Sequence, residues 1–286
     1  MSITTADTAL LTNVLQEAVF TASERSIAGD VFTVYDMSGT PGLTAQIPVY
    51  PEISASDLTE GSNLTASSIA LDTVNISATE IGARADLTDL MREGSARDVA
   101  SDLGILLGNA IGEKIDTNAF SLFDTLTTNV QSGATTELTP TKILQAIYTL
   151  RSANAPTDAD GDYYAVFNPN QIYNITNVLQ GAGIGTSANA ISTVGNDILS
   201  KGAFVTRLYN CKVFMSNSVE NDSANDAVGC VFSPQAFGHV LKRPLTVKSQ
   251  DDINLRTTEF VATTARGNAI LKDAYAVKMK YENVID

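Results

Sequence analysis

Ile47-Pro48-Val49-Tyr50 and Val74-Asn75-Ile76-Ser77-Ala78-Thr79 are the outgoing and returning arms of one long hairpin, spanning Leu43 to Leu87. Apolar and polar side chains alternate along the return arm, as on a half-buried strand. Between the arms lies Ser54-Ala55-Ser56-Asp57-Leu58-Thr59-Glu60-Gly61-Ser62-Asn63, which has turn chemistry and almost nothing to bury. An isolated two-stranded hairpin is marginally stable at best in water. A hairpin this long has to lie on something, and another copy of the same chain would provide that support.

The return arm changes phase near Glu80. Val74, Ile76 and Ala78 face one side, then Ile81, Ala83, Ala85 and Leu87 take over. A one-residue phase change predicts a β-bulge at that point. Next comes the longest helical pattern, 95–126, with Ser95 as N-cap and Asp98 at the capping-box position. Val99, Leu103, Leu106, Leu107, Ala110, Ile111, Ile115, Ala119, Leu122, Phe123 and Leu126 recur at spacings of three and four, giving a helix of roughly 45 Å.

Thr139-Pro140, Asn168-Pro169 and Ser233-Pro234 share a helix-start signature, a capping residue followed by proline at the first helical position. Tyr163–Phe167 and Ala227–Phe232 read as strands leading into two of them. A Gly/Ser/Ala/Asn-rich stretch, 181–197, reads as a loop, and 238–284 as strand-rich, with Tyr275, Val277, Met279 and Tyr281 on one face. Before the hairpin, residues 1–42 are acidic and resemble an arm more than a domain; they carry a short amphipathic helix with Leu11, Val14, Leu15 and Ala18 on one face. No tandem repeat at solenoid periods is present.

The 286 residues suffice for one large domain or two modest ones. The net charge of −14 argues against non-specific binding to a phosphate backbone. Residues 1–199 hold 7 Lys+Arg against 23 Asp+Glu, and residues 200–286 hold 11 against 9. That asymmetry suits contact between opposite ends of neighbouring copies, or simply a solvated surface; both readings stay open. Cys211 and Cys230 sit in apolar strand-like runs and read as buried free thiols. There is no secretory pattern and no apolar run long enough to span a bilayer, so folding in a cytoplasm and no membrane partner are expected.

No residue constellation points to catalysis. His239 is the single histidine, no Gly-x-Ser-x-Gly elbow exists, and a structural role is expected for the ring. Gly181-Ala182-Gly183-Ile184-Gly185 follows a helix rather than a strand and lacks a following Gly-Lys-Ser/Thr, so it does not make a phosphate loop. Asp158-Ala159-Asp160-Gly161-Asp162 has its glycine misplaced for a calcium loop, and the closing position is Pro169. The sequence predicts no enzyme, no cofactor and no metal, but a building part.

The order of parts is arm, extended hairpin, long spine helix, α/β middle and strand-rich end. With Ile76-Ser77-Ala78-Thr79-Glu80-Ile81-Gly82-Ala83-Arg84-Ala85-Asp86-Leu87, Val166-Phe167-Asn168-Pro169, Cys211-Lys212-Val213-Phe214-Met215-Ser216-Asn217 and Ala262-Thr263-Thr264-Ala265-Arg266-Gly267-Asn268-Ala269-Ile270, it resembles the major capsid protein of tailed bacteriophages, whose shell fold encapsulins share. The resemblance covers essentially the whole chain and implies an α+β fold. It implies an N-terminal arm (1–42), an E-loop hairpin (43–85), a P-domain (86–155 and 236–286) and an A-domain (156–235). The last strand would cross between the last two, and the 181–197 loop would be the axial tip.

The resemblance also implies a subunit that self-assembles as hexamers and pentamers into an icosahedral virion head, in the host cytoplasm, around double-stranded DNA without sequence-specific contact. A separate scaffolding protein, a portal protein and a decoration or cement protein are the further partners it implies. Because the chain starts at Met1 directly in the arm, little proteolysis is expected. Some members weld their shells through an E-loop lysine; here the first lysine is Lys114, so no such isopeptide mesh is expected. Intersubunit contacts are expected from Asp57 and Glu60 to Lys242, Arg243, Lys248 or Arg256, with Arg84 as a further candidate. The alternatives are an encapsulin-type shell enclosing cargo protein, a Ser/Thr-rich surface or adhesin-like protein, which the lack of an export signal opposes, and a hydrolase, which the lack of a convergent site opposes.

Overall fold

The computed structural model describes residues 14–22, 25–50, 55, 57, 60–61, 63, 72–94, 99–133, 136–184, 207–222 and 225–284. Helix α1 covers 14–22, and a single turn, α2 (Ala28–Val31), follows. Strand β1 (Thr33–Asp36) then leads to the hairpin strands β2 (Thr44–Val49) and β3 (Asp72–Ser77), which pair antiparallel from Thr44↔Ser77 to Val49↔Asp72.

Strand β4 (Thr79–Thr88) replaces the expected bulge. At Ala78 the chain leaves β2, with Ala78 N–H donating to the Leu43 carbonyl at 2.8 Å, and joins a different sheet. The phase slip arises because the two halves of the return arm answer to different partners, each with its own buried side. Short helix α3 (Asp89–Gly94) separates β4 from spine helix α4 (Val99–Phe120). At 22 residues α4 runs about 33 Å, shorter than the sequence pattern suggests. The apolar pattern continues to Leu126 because a 3-10 turn, Ser121–Thr125, prolongs it in another geometry. The expected Ser95 cap and its Asp98 partner lie outside the described residues.

Strand β5 (Val130–Gly133) precedes helix α5 (Pro140–Ser152), which starts with proline at its N-terminus as the sequence predicts. Strand β6 (Tyr163–Phe167) feeds helix α6 (Pro169–Ile184), where the Asn168 side chain accepts from Asn170 N at 3.1 Å. Helix α6 absorbs the start of the expected 181–197 loop, whose remainder lies outside the described residues. Strands β7 (Arg207–Leu208), β8 (Cys211–Met215) and β9 (Asp226–Phe232) follow. The Ser233-Pro234 start yields only a 3-10 turn, Pro234–Ala236, before strands β10 (Phe237–Asp252), β11 (Thr257–Ile270) and β12 (Ala276–Glu282).

One sheet runs β1-β10-β11-β4 and a second β5-β12-β9-β6-β8-β7, with β2-β3 as a separate ribbon. The β10–β11 register shifts between Leu241 and Arg243 and again between Arg243 and Thr246. Pro244 lies inside that irregular stretch and has no N–H for the ladder. The boundary between the sheets does not follow the expected division of the chain. β5, β12 and α5 go with the elements of 156–235, because β12 pairs with β9 along its length and α5 packs on both strands.

The described part of 1–42 packs into the body. Gly104, Gly108 and Gly112 form a stripe on α4 at four-residue spacing, and α1 lies on it closely enough that a Cβ at Gly108 would sit 2.6 Å from the Ala18 carbonyl. Phe32 then stacks on Phe237 at 4.8 Å between centroids. It also meets Phe120 and Phe123 from the spine end and Phe232 from β9 edge-on. These rings tie the arm, the spine and both sheets into one core.

Candidate intersubunit surface

The base of the hairpin rests on its own chain. Ala45, Ile47 and Ile76 cluster with Val240, with Tyr35, Met37, Ala269 and Leu271 packed around them. The return arm crosses the sheet at Gly267, where a Cβ would fall 2.4 Å from the Ser77 carbonyl; no other side chain fits that approach. The need for external support therefore narrows to the far end, where Ala55, Asp57, Glu60, Gly61 and Asn63 are all exposed.

The sequence-predicted cations separate into two groups. Arg84 is engaged within the chain: its Nε and Nη2 grip Asp86 at 2.8 and 3.0 Å, and Nη2 reaches Glu259 at 2.7 Å. That hydrogen bonding holds the Asp86 carboxyl below its ordinary range. Arg243 pairs with Glu80, and Lys242 donates to the Thr40 carbonyl. Lys248 and Arg256 are exposed, with no ion pair among the described residues.

Sequence reasoning missed an apolar patch at the β10–β11 turn. Asp252 Oδ1 accepts from Asn254 N and Leu255 N at 2.9 and 3.2 Å, and Arg256 takes a left-handed φ of 52°. The Arg256 carbonyl accepts from Asp89 N at 3.1 Å, which brings helix α3 beside the turn. Ile253 (68% exposed) and Leu255 (65%) thus stand near Leu90 (81%) and Met91. The signal was present: two apolar pairs flank turn residues in otherwise polar surroundings. On the spine, Leu106, predicted to face the core, is also exposed.

The remaining candidates are structural. Lys212 bridges Asp158 and Asp160 at 3.1 and 2.8 Å, and Arg207 pairs with buried Asp162 at 2.6 Å, so each carboxylate of that turn meets a cation of the chain. No group of acidic, histidine or cysteine side chains suited to a metal occurs among the described residues. His239 is buried in β10, its Nδ1 2.6 Å from Asn268 Oδ1 and its Nε2 3.4 Å from an Arg266 nitrogen; burial pushes its pKa down. Cys211 and Cys230 are free and buried, and burial pushes both thiols up. No helix among the described residues is long and apolar enough to cross a membrane.

No family model matches the chain, and no curated protein matches it. Solved structures do. The capsid of a cyanophage superposes with a TM-score of 0.68 at 18% identity, covering 91% of this chain and 89% of that one. The capsid of a Ralstonia phage gives 0.66 at 11% identity, covering 89% and 88%. A virus-like particle from Pyrococcus furiosus gives 0.61 at 9% identity, covering 94% and 98%. At these identities the likeness is one of fold: the chain has the α+β fold of phage capsid proteins.

Proposed function

We propose that this chain is the major capsid protein of a tailed bacteriophage, a non-enzymatic subunit that tiles a closed shell as hexamers and pentamers around double-stranded DNA. The observation that carries the reading is the two-way coverage: 91% of this chain on 89% of a cyanophage capsid chain, with little length left over for another activity. An exposed hairpin end and an exposed apolar turn suit a subunit whose surfaces are completed by copies of itself. In this reading 1–42 is the N-terminal arm and 43–85 the E-loop. The P-domain centres on α4 with β1, β4, β10 and β11, and the A-domain on the six-stranded sheet with α5 and α6.

Each hairpin end would lie on a neighbour. Asp57 and Glu60 would meet Lys248 or Arg256, since Arg84, Lys242 and Arg243 already have partners in their own chain. Exposed pairs contribute only about 0–1 kcal/mol each, but a shell repeats them many times. A separate scaffolding protein, a portal and a decoration protein are the partners such a head would use.

The second reading is a nanocompartment shell enclosing protein, favoured by the 98% coverage of the Pyrococcus furiosus particle chain. Negative-stain microscopy of the expressed chain, alone and with its genomic neighbours, separates the two. Large heads that fill with nucleic acid support the capsid reading, and small shells carrying protein support the second. Only monomers or dimers in both preparations would overturn both.

A further inference from the structure

Arg266 is a cation on the inward face of a sheet. Strand β11 keeps an unbroken register with β4 up to Arg266, so Phe260, Ala262, Thr264 and Arg266 share the face that packs toward the spine helix, and Asn268, opposite His239 in β10, follows two residues on. Burial lowers the guanidinium's pKa, yet no carboxylate lies within ion-pair distance of it among the described residues. Its side-chain contacts are long: Thr264 Oγ1 at 3.4 Å and His239 Nε2 at 3.4 Å. Asp116, whose charge it feels, is turned to other donors, accepting from Ser26, Ile27 and Ala28.

The guanidinium borders a recess of about 230 Å³ at the end of the spine helix, lined also by Ser77, Thr79, Asn118, Ser121 and Asn268, with no acidic residue among the described ones. The hydrogen-bonding roles around it are fixed. Arginine only donates, so His239 Nε2 accepts from it. His239 Nδ1 therefore carries the proton and donates to Asn268 Oδ1. Among the described residues the Asn268 amide N–H₂ then has no acceptor, and no hydrogen bond from the Asn118 side chain occurs. Surplus donors with no anion among them, around a partly desolvated planar cation, match a carboxylate or phosphate oxygen pair.

We propose that this recess is a binding site for a small oxyanion, gripped by Arg266 with the amides of Asn118 and Asn268. The site belongs to the folded chain and stands whether or not copies assemble. Two sources share the chemistry: a free oxyanion, or the carboxylate of an acidic side chain from a second copy.

The test titrates inorganic phosphate, and separately acetate, into the folded full-length chain while following thermal unfolding and the Arg266 Nε–H resonance. Wild type is expected to show a saturable rise in Tm and a shifted resonance. Arg266→Gln should weaken the apparent affinity for phosphate by about tenfold or more, the loss of one charge-assisted contact. Should that variant not fold, Asn118→Asp provides the second arm: a carboxylate placed in the recess should raise Tm without phosphate and abolish the response to it. In assembled particles, a phosphate response that persists identifies a free oxyanion. One that vanishes, with assembly impaired by Arg266→Gln and partly restored by Arg266→Lys, identifies a second copy's side chain. The proposal is overturned if neither anion acts on the free wild-type chain, or if the variants respond to phosphate as wild type does.

Discussion

The carboxylate of Asp116 accepts a hydrogen bond from the Ser26 hydroxyl at 2.9 Å across 90 positions of the chain. The same carboxylate takes the backbone N–H groups of Ile27 and Ala28 at 3.1 Å, capping α2 from the spine helix. Burial pushes its pKa up against the pull of these bonds. Asp116→Ala would leave three donors without an acceptor, and such groups cost about 1–3 kcal/mol each when buried. Because neighbours relax and water enters, a net loss of about 2–4 kcal/mol is expected in urea unfolding. Asp116→Asn, which keeps one acceptor oxygen, should lose distinctly less. Equal losses would mean that the carboxylate does not hold the arm.

The glycine stripe under α1 gives a graded prediction. An alanine in a solvent-facing helix position gains about 1 kcal/mol over glycine. At Gly108 the added Cβ would sit 2.6 Å from the Ala18 carbonyl, at Gly104 2.8 Å from the Val14 carbonyl, and at Gly112 3.3 Å from the Ala22 carbonyl. Overpacking against backbone costs about 1–3 kcal/mol, so the clash outweighs propensity at the first two positions and roughly balances it at the third. Gly108→Ala and Gly104→Ala should lower Tm while Gly112→Ala stays near neutral. A uniform gain across the three would show that α1 does not sit on the stripe.

That stripe also shows where sequence reading stops. The apolar period of α4 announced a helix and one buried face, and Leu107, Ile111 and Ile115 fill it. The glycines four apart mark a second face, but a close helix crossing has no apolar signature, and nothing local to Asp116 shows that Ser26, Ile27 and Ala28 donate to it. Alternation located β12, and the proline starts located α5 and α6, because both signals are local. The slip near Glu80 was visible as phase and misread as a bulge, since periodicity records which side is buried and not against what. The cations Arg84, Lys242 and Arg243 read as intersubunit contacts; the folded chain gives each a partner of its own that no local pattern carries.

His239 sets a pH response. Burial lowers its pKa, and the Arg266 charge adds to that. The unfolded chain, with a histidine near 6.5, therefore binds the proton more readily than the folded one. The stability contributed by the neutral ring is intact above about pH 6.5, falls as pH drops toward the folded value, and levels off below it. Urea midpoints measured between pH 7.5 and 5 should fall, and His239→Gln should flatten the part of the curve due to this residue. An unchanged slope in the variant would assign the pH response to other groups.

If the hairpin end grips a neighbour through charge, reversing that charge should spare the subunit and damage the shell. Asp57 and Glu60 are exposed and have no ion pair among the described residues. Asp57→Lys with Glu60→Lys is expected to leave the monomer Tm unchanged and to reduce particle yield in sedimentation. Adding Lys248→Glu and Arg256→Glu should restore part of the yield. Normal particles from the double variant would refute the pairing.

A shell held this way would have no weld through its hairpin. The first lysine is Lys114, beyond the whole of 43–85, so no amine nucleophile sits on the hairpin to attack a side-chain amide. Lys114 itself lies on the exposed side of α4. Cys211 and Cys230 offer no substitute, since both thiols are buried and held protonated by that burial. Particles boiled in SDS with or without reductant should therefore run as one band near the 30.2 kDa monomer. A ladder that resists reductant would show covalent joining by another route, and the hairpin's grip would then not need to be non-covalent.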